Sequence, residues 1–113
     1  MNLEEVLHVF DSTPKPQSVL RTGVVQPSDE ERAIEADYSP LLRGDVTDEV
    51  AGMMVCDLFL MSDEAVLYFL PPVARSMLKS RNNMDMLESR LMEVDHSRIS
   101  PLLRVALIEL CEE

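Results

Sequence analysis

Two consecutive prolines, Pro71 and Pro72, close an apolar stretch that begins at Leu58. They constrain this chain more than any other feature. Neither proline carries an amide hydrogen, so a helix running into them leaves the carbonyls of Leu67 and Tyr68 without intrahelical partners. The stretch also holds Phe59, Tyr68 and Phe69, two of the three Phe and one of the two Tyr. Ser62 is placed to cap a helix, and Asp63 and Glu64 put negative charge at the positive end of its dipole. Ala65, Val66, Phe69 and Leu70 follow at helical spacing. These residues predict a short apolar helix, a sharp bend at the prolines, and a second helix beginning near Pro72.

The chain has 113 residues and 46% hydrophobic content, enough for one domain, residues 1–113, with its own core. Trp is absent and aromatics make up only 4%, so the core must be built mainly from Leu, Val and Met. Such a composition suits helix-on-helix packing better than a sandwich. Three glycines and no Asn-Gly or Asp-Gly pair leave no hairpin signal. The expected fold is all-α: a single small domain of five or six short helices around a proline-bent central helix pair, residues 62–79, and a helix over 101–111.

Residues 2–10 predict the first helix, with Asn2 as cap, Glu4 and Glu5 in the first turn, and Leu3, Val6, Leu7 and Phe10 on one face. Pro14 and Pro16 end it. Residues 17–25 are ambiguous between a helical turn at Ser18-Val19-Leu20 and an extended piece at Val24-Val25. Ser28 and Glu31 form a Ser-x-x-Glu capping box for a largely exposed helix reaching Tyr38. Leu41 to Gly44 reads as a connection, with a helix from Thr47 after it. Met53-Met54-Val55-Cys56 within that helix would also fit a buried strand. Asn83 caps a helix whose stripe is Met84, Leu87, Leu91 and Val94. Ser100-Pro101 opens the last helix, apolar nearly all round and expected to be the central buried one.

Phe59-Leu60, Ser62, Glu64-Ala65 and Tyr68-Phe69-Leu70-Pro71 resemble the Phe-Leu-Ser/Thr-x-Glu-Ala helix start and aromatic-aromatic-Leu-Pro segment of a family of small uncharacterised bacterial proteins. Val9-Phe10, Pro14, Pro16 and the acidic middle are also similar, over roughly residues 5–80. Met61 is inserted between Leu60 and Ser62, and Pro72 stands where the family has a small residue. The family has no established activity or functional residues. The resemblance implies a small α-helical cytoplasmic domain and transfers no site.

The net charge is −11, which argues against a nucleic-acid surface of clustered Lys and Arg. Residues 1–70 hold 14 Asp and Glu against 4 Lys and Arg, net −10, whereas residues 71–113 hold 7 against 6, net −1. No stretch approaches the ~20 apolar residues of a membrane span. The first residues carry neither a basic region nor an apolar run, so no secretory signal is expected and the cytoplasm is the expected compartment. Cys56 and Cys111 have apolar neighbours and read as buried thiols.

Asp95-His96-Ser97 has the letters of a hydrolytic triad, but adjacent residues alone do not give its geometry. Cys56 has no basic neighbour to activate it. Asp45-Val46-Thr47-Asp48-Glu49 lacks the glycine and glutamate of a calcium loop, which would fall at Val50 and Cys56. No zinc spacing or glycine-rich phosphate loop occurs, so no metal or cofactor is expected. The methionines read mainly as core, with Met86 and Met92 off their stripe as candidates for an exposed patch. The expected function is therefore non-enzymatic: an acidic protein-binding module, such as an immunity protein or inhibitor, meeting a basic partner through Asp29, Glu30, Glu31, Glu35, Asp37, Asp45, Asp48 and Glu49. A dimeric secretion chaperone or adaptor, and a small enzyme around Cys56 or His96, are the alternatives.

Overall fold

The computed structural model describes residues 3–21, 26–80, 84–95, 97 and 101–112. Their element order is α1 (Leu3–Phe10), α2 (Asp29–Tyr38), α3 (Asp48–Asp57), α4 (Asp63–Ser80), α5 (Met84–Met92) and α6 (Pro101–Glu112). Two 3-10 turns, Arg43–Asp45 and Leu58–Leu60, bracket α3. The fold is all-α, and its radius of gyration is 13.3 Å. That matches the ~13 Å of a compact domain near this length.

The centre of the molecule is α4, not α6. Residues 65–71 of α4 are all buried, as are Val73, Ala74, Ser76 and Met77. It touches α1, α3, α5 and the Arg43–Asp45 turn. The α1 face of Val6, Leu7 and Phe10 is fully buried, as its spacing predicts. Each such side chain contributes about 1.5–3 kcal/mol of hydrophobic stabilisation. The α6 helix lies outside on α1 and α5: Ala106 is buried, but Leu102, Val105 and Ile108 are exposed. Its all-round apolarity was expected to mark the core helix. The position went instead to α4, whose residues 65–71 are buried all round the helix.

The prolines correct a second expectation. Residues 63–80 form one helix of 18 residues with Pro71 and Pro72 inside it, not a pair of helices split at the prolines. Of the two carbonyls that the prolines leave open, that of Tyr68 has a firm partner elsewhere in the chain. Arg43 Nε donates to it at 2.8 Å, whereas the Thr13 hydroxyl, 3.4 Å from the Leu67 carbonyl, has its single hydrogen on the Phe10 carbonyl at 2.7 Å. An interior proline is tolerated when the acceptor it strands is satisfied from outside the helix.

Local signals account for the starts of α2, α3 and α4. Ser28 and Glu31 form the complete capping box of α2. Thr47 accepts from the Val50 amide to open α3. Ser62 caps α4 by accepting from the Ala65 amide at 3.1 Å, while its hydroxyl donates to the Ser18 carbonyl. The Ser62 amide also bonds the Val19 carbonyl, and Leu20 forms an isolated antiparallel bridge with Met61. Residues 18–20 therefore run extended and do not form the expected helical turn; Val24-Val25, with the rest of 22–25, lies outside the described residues, as do Asn2, Asn83 and Ser100.

The ambiguous Met53–Cys56 run is helical. Ala51, Met54 and Val55 turn inward, and Met53 and Cys56 turn out. Cys56 is thus an exposed thiol rather than the expected buried one; the Cys111 side chain lies outside the described residues. On α5, Leu87 and Leu91 are buried, and Val94 just beyond it is too. Met86 is half-buried against the core and only Met92 is prominently exposed, so the expected Met86–Met92 patch reduces to one residue.

Candidate functional site

The eight carboxylates expected to meet a partner fall on three consecutive elements. Asp29, Glu30, Glu31, Glu35 and Asp37 lie on α2, Asp45 on the 3-10 turn, and Asp48 and Glu49 in the first turn of α3. All are exposed except Glu31, which is half-buried. Only Ile34 and Tyr38 of α2 are buried. Four residues apart, they share one side and present the rest of the helix to solvent. Glu30 and Asp37, seven apart, then run along one flank, and Glu31 and Glu35, four apart, along the other.

Four of the eight have structural partners. Glu31 accepts from the Ser28 amide at 3.0 Å to complete the capping box. Asp45 accepts from the Leu42 amide at 2.9 Å. Asp29 stands 3.8 Å from Arg32. Asp48 pairs with Lys79 at 3.1 Å, and hydrogen bonds from Lys79 and Ser76 hold its carboxyl below the usual aspartate range. Glu30, Glu35, Asp37 and Glu49 make no side-chain hydrogen bond or ion pair among the described residues. They are the four carboxylates most available to another molecule.

Arg43, between Asp37 and Asp45 in the sequence, does not neutralise them. Arg43 turns its guanidinium inward, donating to the carbonyls of Phe10, Asp11, Thr13 and Tyr68 at 2.7–3.1 Å. It stacks 4.4 Å above the Tyr68 ring, whose hydroxyl accepts from the Arg43 amide. One side chain therefore ties the segment after α2 to the end of α1 and to α4. The sequence hints at the need for such a donor through the stranded carbonyls, but not at its source.

The other end of the segment is tied by Tyr38. Its hydroxyl donates to Asp57 Oδ2 at 2.7 Å, and the residue is only 3% exposed. Burial, then the Asp57 hydrogen bond and charge, push the phenol well above its ordinary value. A group held protonated in the fold contributes stability below its unfolded pKa of ~10, and this contribution declines as pH rises beyond that value. Tyr38→Phe is expected to lose roughly 1–2 kcal/mol at neutral pH. Above about pH 10 the gap between the two proteins should narrow. Urea unfolding at pH 7 and pH 10.5 checks both; a constant gap would contradict the account.

The remaining candidates do not assemble. Ser97 donates through its amide and hydroxyl to Asp95 Oδ1, a local turn, while His96 lies outside the described residues. His8 is exposed and stands 3.1 Å from Asp11. Cys56 Sγ faces the Gly52 carbonyl of its own helix. Among the described residues, no three His, Cys, Asp or Glu converge on a metal position. A shallow cavity of about 310 Å³ opens beside the start of α4, lined by Pro16, Gln17, Ser18, Leu20, Ser62 and Glu64. Its Ser62 hydroxyl is committed to the cap, leaving Glu64 as its one charged side chain. No described helix is long and apolar enough to cross a membrane. Comparison with family models, with curated proteins and with solved structures finds no match to this chain.

Proposed function

We propose that this chain is a non-enzymatic protein-binding module that presents residues 29–49 to a basic protein surface, in the manner of a small acidic immunity protein or inhibitor. The observation that carries the reading is the set Glu30, Glu35, Asp37 and Glu49, exposed and unpaired among the described residues, on a segment whose Arg43 is turned inward. Eight carboxylates face two arginines across this segment, and only Arg32 is left near the surface. Charge of one sign on an exposed segment raises the encounter rate with an oppositely charged partner and rejects acidic ones. Nucleic acid is disfavoured by the same field. The cytoplasm suits the exposed thiol of Cys56, which persists reduced there.

The test uses the intact protein as bait in lysate of its source cells, beside a variant carrying Glu30→Lys, Glu35→Lys, Asp37→Lys and Glu49→Lys. A basic protein retained by the first and released by salt, but not retained by the second, is the expected result. With that protein purified, the four reversals should slow association at least about tenfold at low salt. Equal retention by both baits, or binding indifferent to salt, would refute the proposal.

A further inference from the structure

Among the described helices, α2 packs most sparingly on the rest of the fold. Ile34 and Tyr38 are its only buried side chains, and residues 28–30 and 32–33 lie open on the surface. The chain is nevertheless fastened on both sides of it. Before α2, the Val19 carbonyl accepts from the Ser62 amide at 2.8 Å and Leu20 bridges Met61. After α2, Arg43 is held by the carbonyls of Phe10, Asp11, Thr13 and Tyr68. Between these fastenings, the helix is held down by Ile34 and by Tyr38 with its 2.7 Å bond to Asp57.

The helix has little stability of its own. Its ten residues are fewer than the ~12–15 that an isolated helix needs in water. Five carboxylates oppose one arginine, a net charge of −4. Glu31 and Glu35 repel each other four residues apart, and Asp37 sits at the negative end of the dipole with no basic residue in the last turn.

We infer that α2 is a latch: it undocks and unwinds as a unit between Leu20 and Arg43 while the helices around α4 stay folded. The hinge is the exposed pair Ser39-Pro40. Opening forfeits the burial of two side chains, whereas unfolding the body forfeits the core around α4, so the latch opens far more often than the body unfolds. Closed, α2 holds Glu30 and Asp37 along one flank and Glu31 and Glu35 along the other. Open, that spacing is lost, so a ligand that reads it also closes the latch. The opening itself does not depend on those carboxylates having a partner.

Native-state hydrogen exchange of the full chain tests this. The amides of residues 32–39 should be protected, but at least about a hundredfold less than those of residues 73–77 in α4. Between zero and about 1 M urea their exchange should stay nearly flat, while that of 73–77 rises, because only the second event exposes much surface. Two substitutions separate a local opening from a global one. Ile34→Ala destabilises only the closed form and should speed both sets by the same factor, roughly thirtyfold or more. Leu91→Val, in the body, destabilises the closed and open forms alike. It should speed residues 73–77 several-fold and leave 32–39 unchanged. Four outcomes would each overturn the latch: no protection in α2, exchange of both sets at one rate, an equally steep urea response, or equal acceleration of both by Leu91→Val.

Discussion

Arg43→Ala is expected to cost roughly 3–5 kcal/mol, a third or more of the stability of an ordinary small domain. The guanidinium donates to four backbone carbonyls and to the Thr13 hydroxyl oxygen, at 2.7 Å for the last. Truncation removes all of these at once and exposes the face of Tyr68. The most costly loss is at the Tyr68 carbonyl. Pro72 cannot donate to it, and Tyr68 is buried, so water does not easily replace the guanidinium. Arg43→Lys should recover only part of the loss, because an ammonium is a single point and cannot span carbonyls on both sides.

The cause can be isolated with a second change. Pro72→Ala restores an amide hydrogen four residues after Tyr68, within a helix that is already continuous there. In the parent it should have a small effect, because the carbonyl has its partner. Combined with Arg43→Ala it should recover about 1 kcal/mol, which appears as a coupling between two residues that are not bonded to each other. Denaturant unfolding of the four proteins measures this. Strict additivity would mean that Arg43 stabilises by stacking on Tyr68 or by capping α1, and that the proline pair is irrelevant to it.

What could be read from the sequence, and what could not, follows the range of the interaction responsible. The Ser28–Glu31 box, the Thr47 and Ser62 caps, and the Leu87–Leu91–Val94 stripe involve residues a few positions apart, and each is found as its spacing implies. The proline break was misjudged because its remedy comes from Arg43, 25 residues before the Tyr68 carbonyl it reaches. Apolar content pointed to residues 62–79 and to residues 101–111 and could not choose between them, since both are rich in Leu and Val. The unbroken buried run at 65–71 distinguishes α4. The acidic residues were read as exposed, and seven of eight are. Glu31 and Asp29 have local partners in the capping box and in Arg32, whereas Asp45 and Asp48 are engaged by the Leu42 amide and by Lys79, and charge counting does not see these.

Arg90 is the residue that sequence reasoning missed most completely, and its replacement carries the other large effect. It sits between Leu87 and Leu91 on α5 and is 1% exposed. Its Nε donates to the Leu58 carbonyl at 2.8 Å, and Nη2 donates to the Met61 carbonyl at 2.9 Å and to Asp63 Oδ1 at 2.7 Å. Those acceptors belong to the junction of α3 and α4, where the Leu58 carbonyl also accepts from the Met61 amide at 3.1 Å. Asp63 in turn accepts from the Asp95 amide, so one cluster joins the start of α4 to the chain after α5. Arg90→Met keeps much of the volume but removes the donor to the Met61 carbonyl, leaves the Leu58 carbonyl with only the Met61 amide and takes the cation from Asp63, and about 3–5 kcal/mol should be lost. Asp63→Asn should cost less, about 1–2 kcal/mol, because the amide oxygen still accepts and Asp63 is about one-third exposed. Salt discriminates this cluster from the surface pairs Arg75–Glu4 and Lys79–Asp48, in which every side chain is at least 41% exposed. Raising salt screens exposed pairs, whereas the Arg90 loss should persist nearly undiminished. A loss below about 1 kcal/mol, or one that vanishes in high salt, would mean that the junction between α3 and α4 holds by apolar packing of Leu58 and Met61 alone.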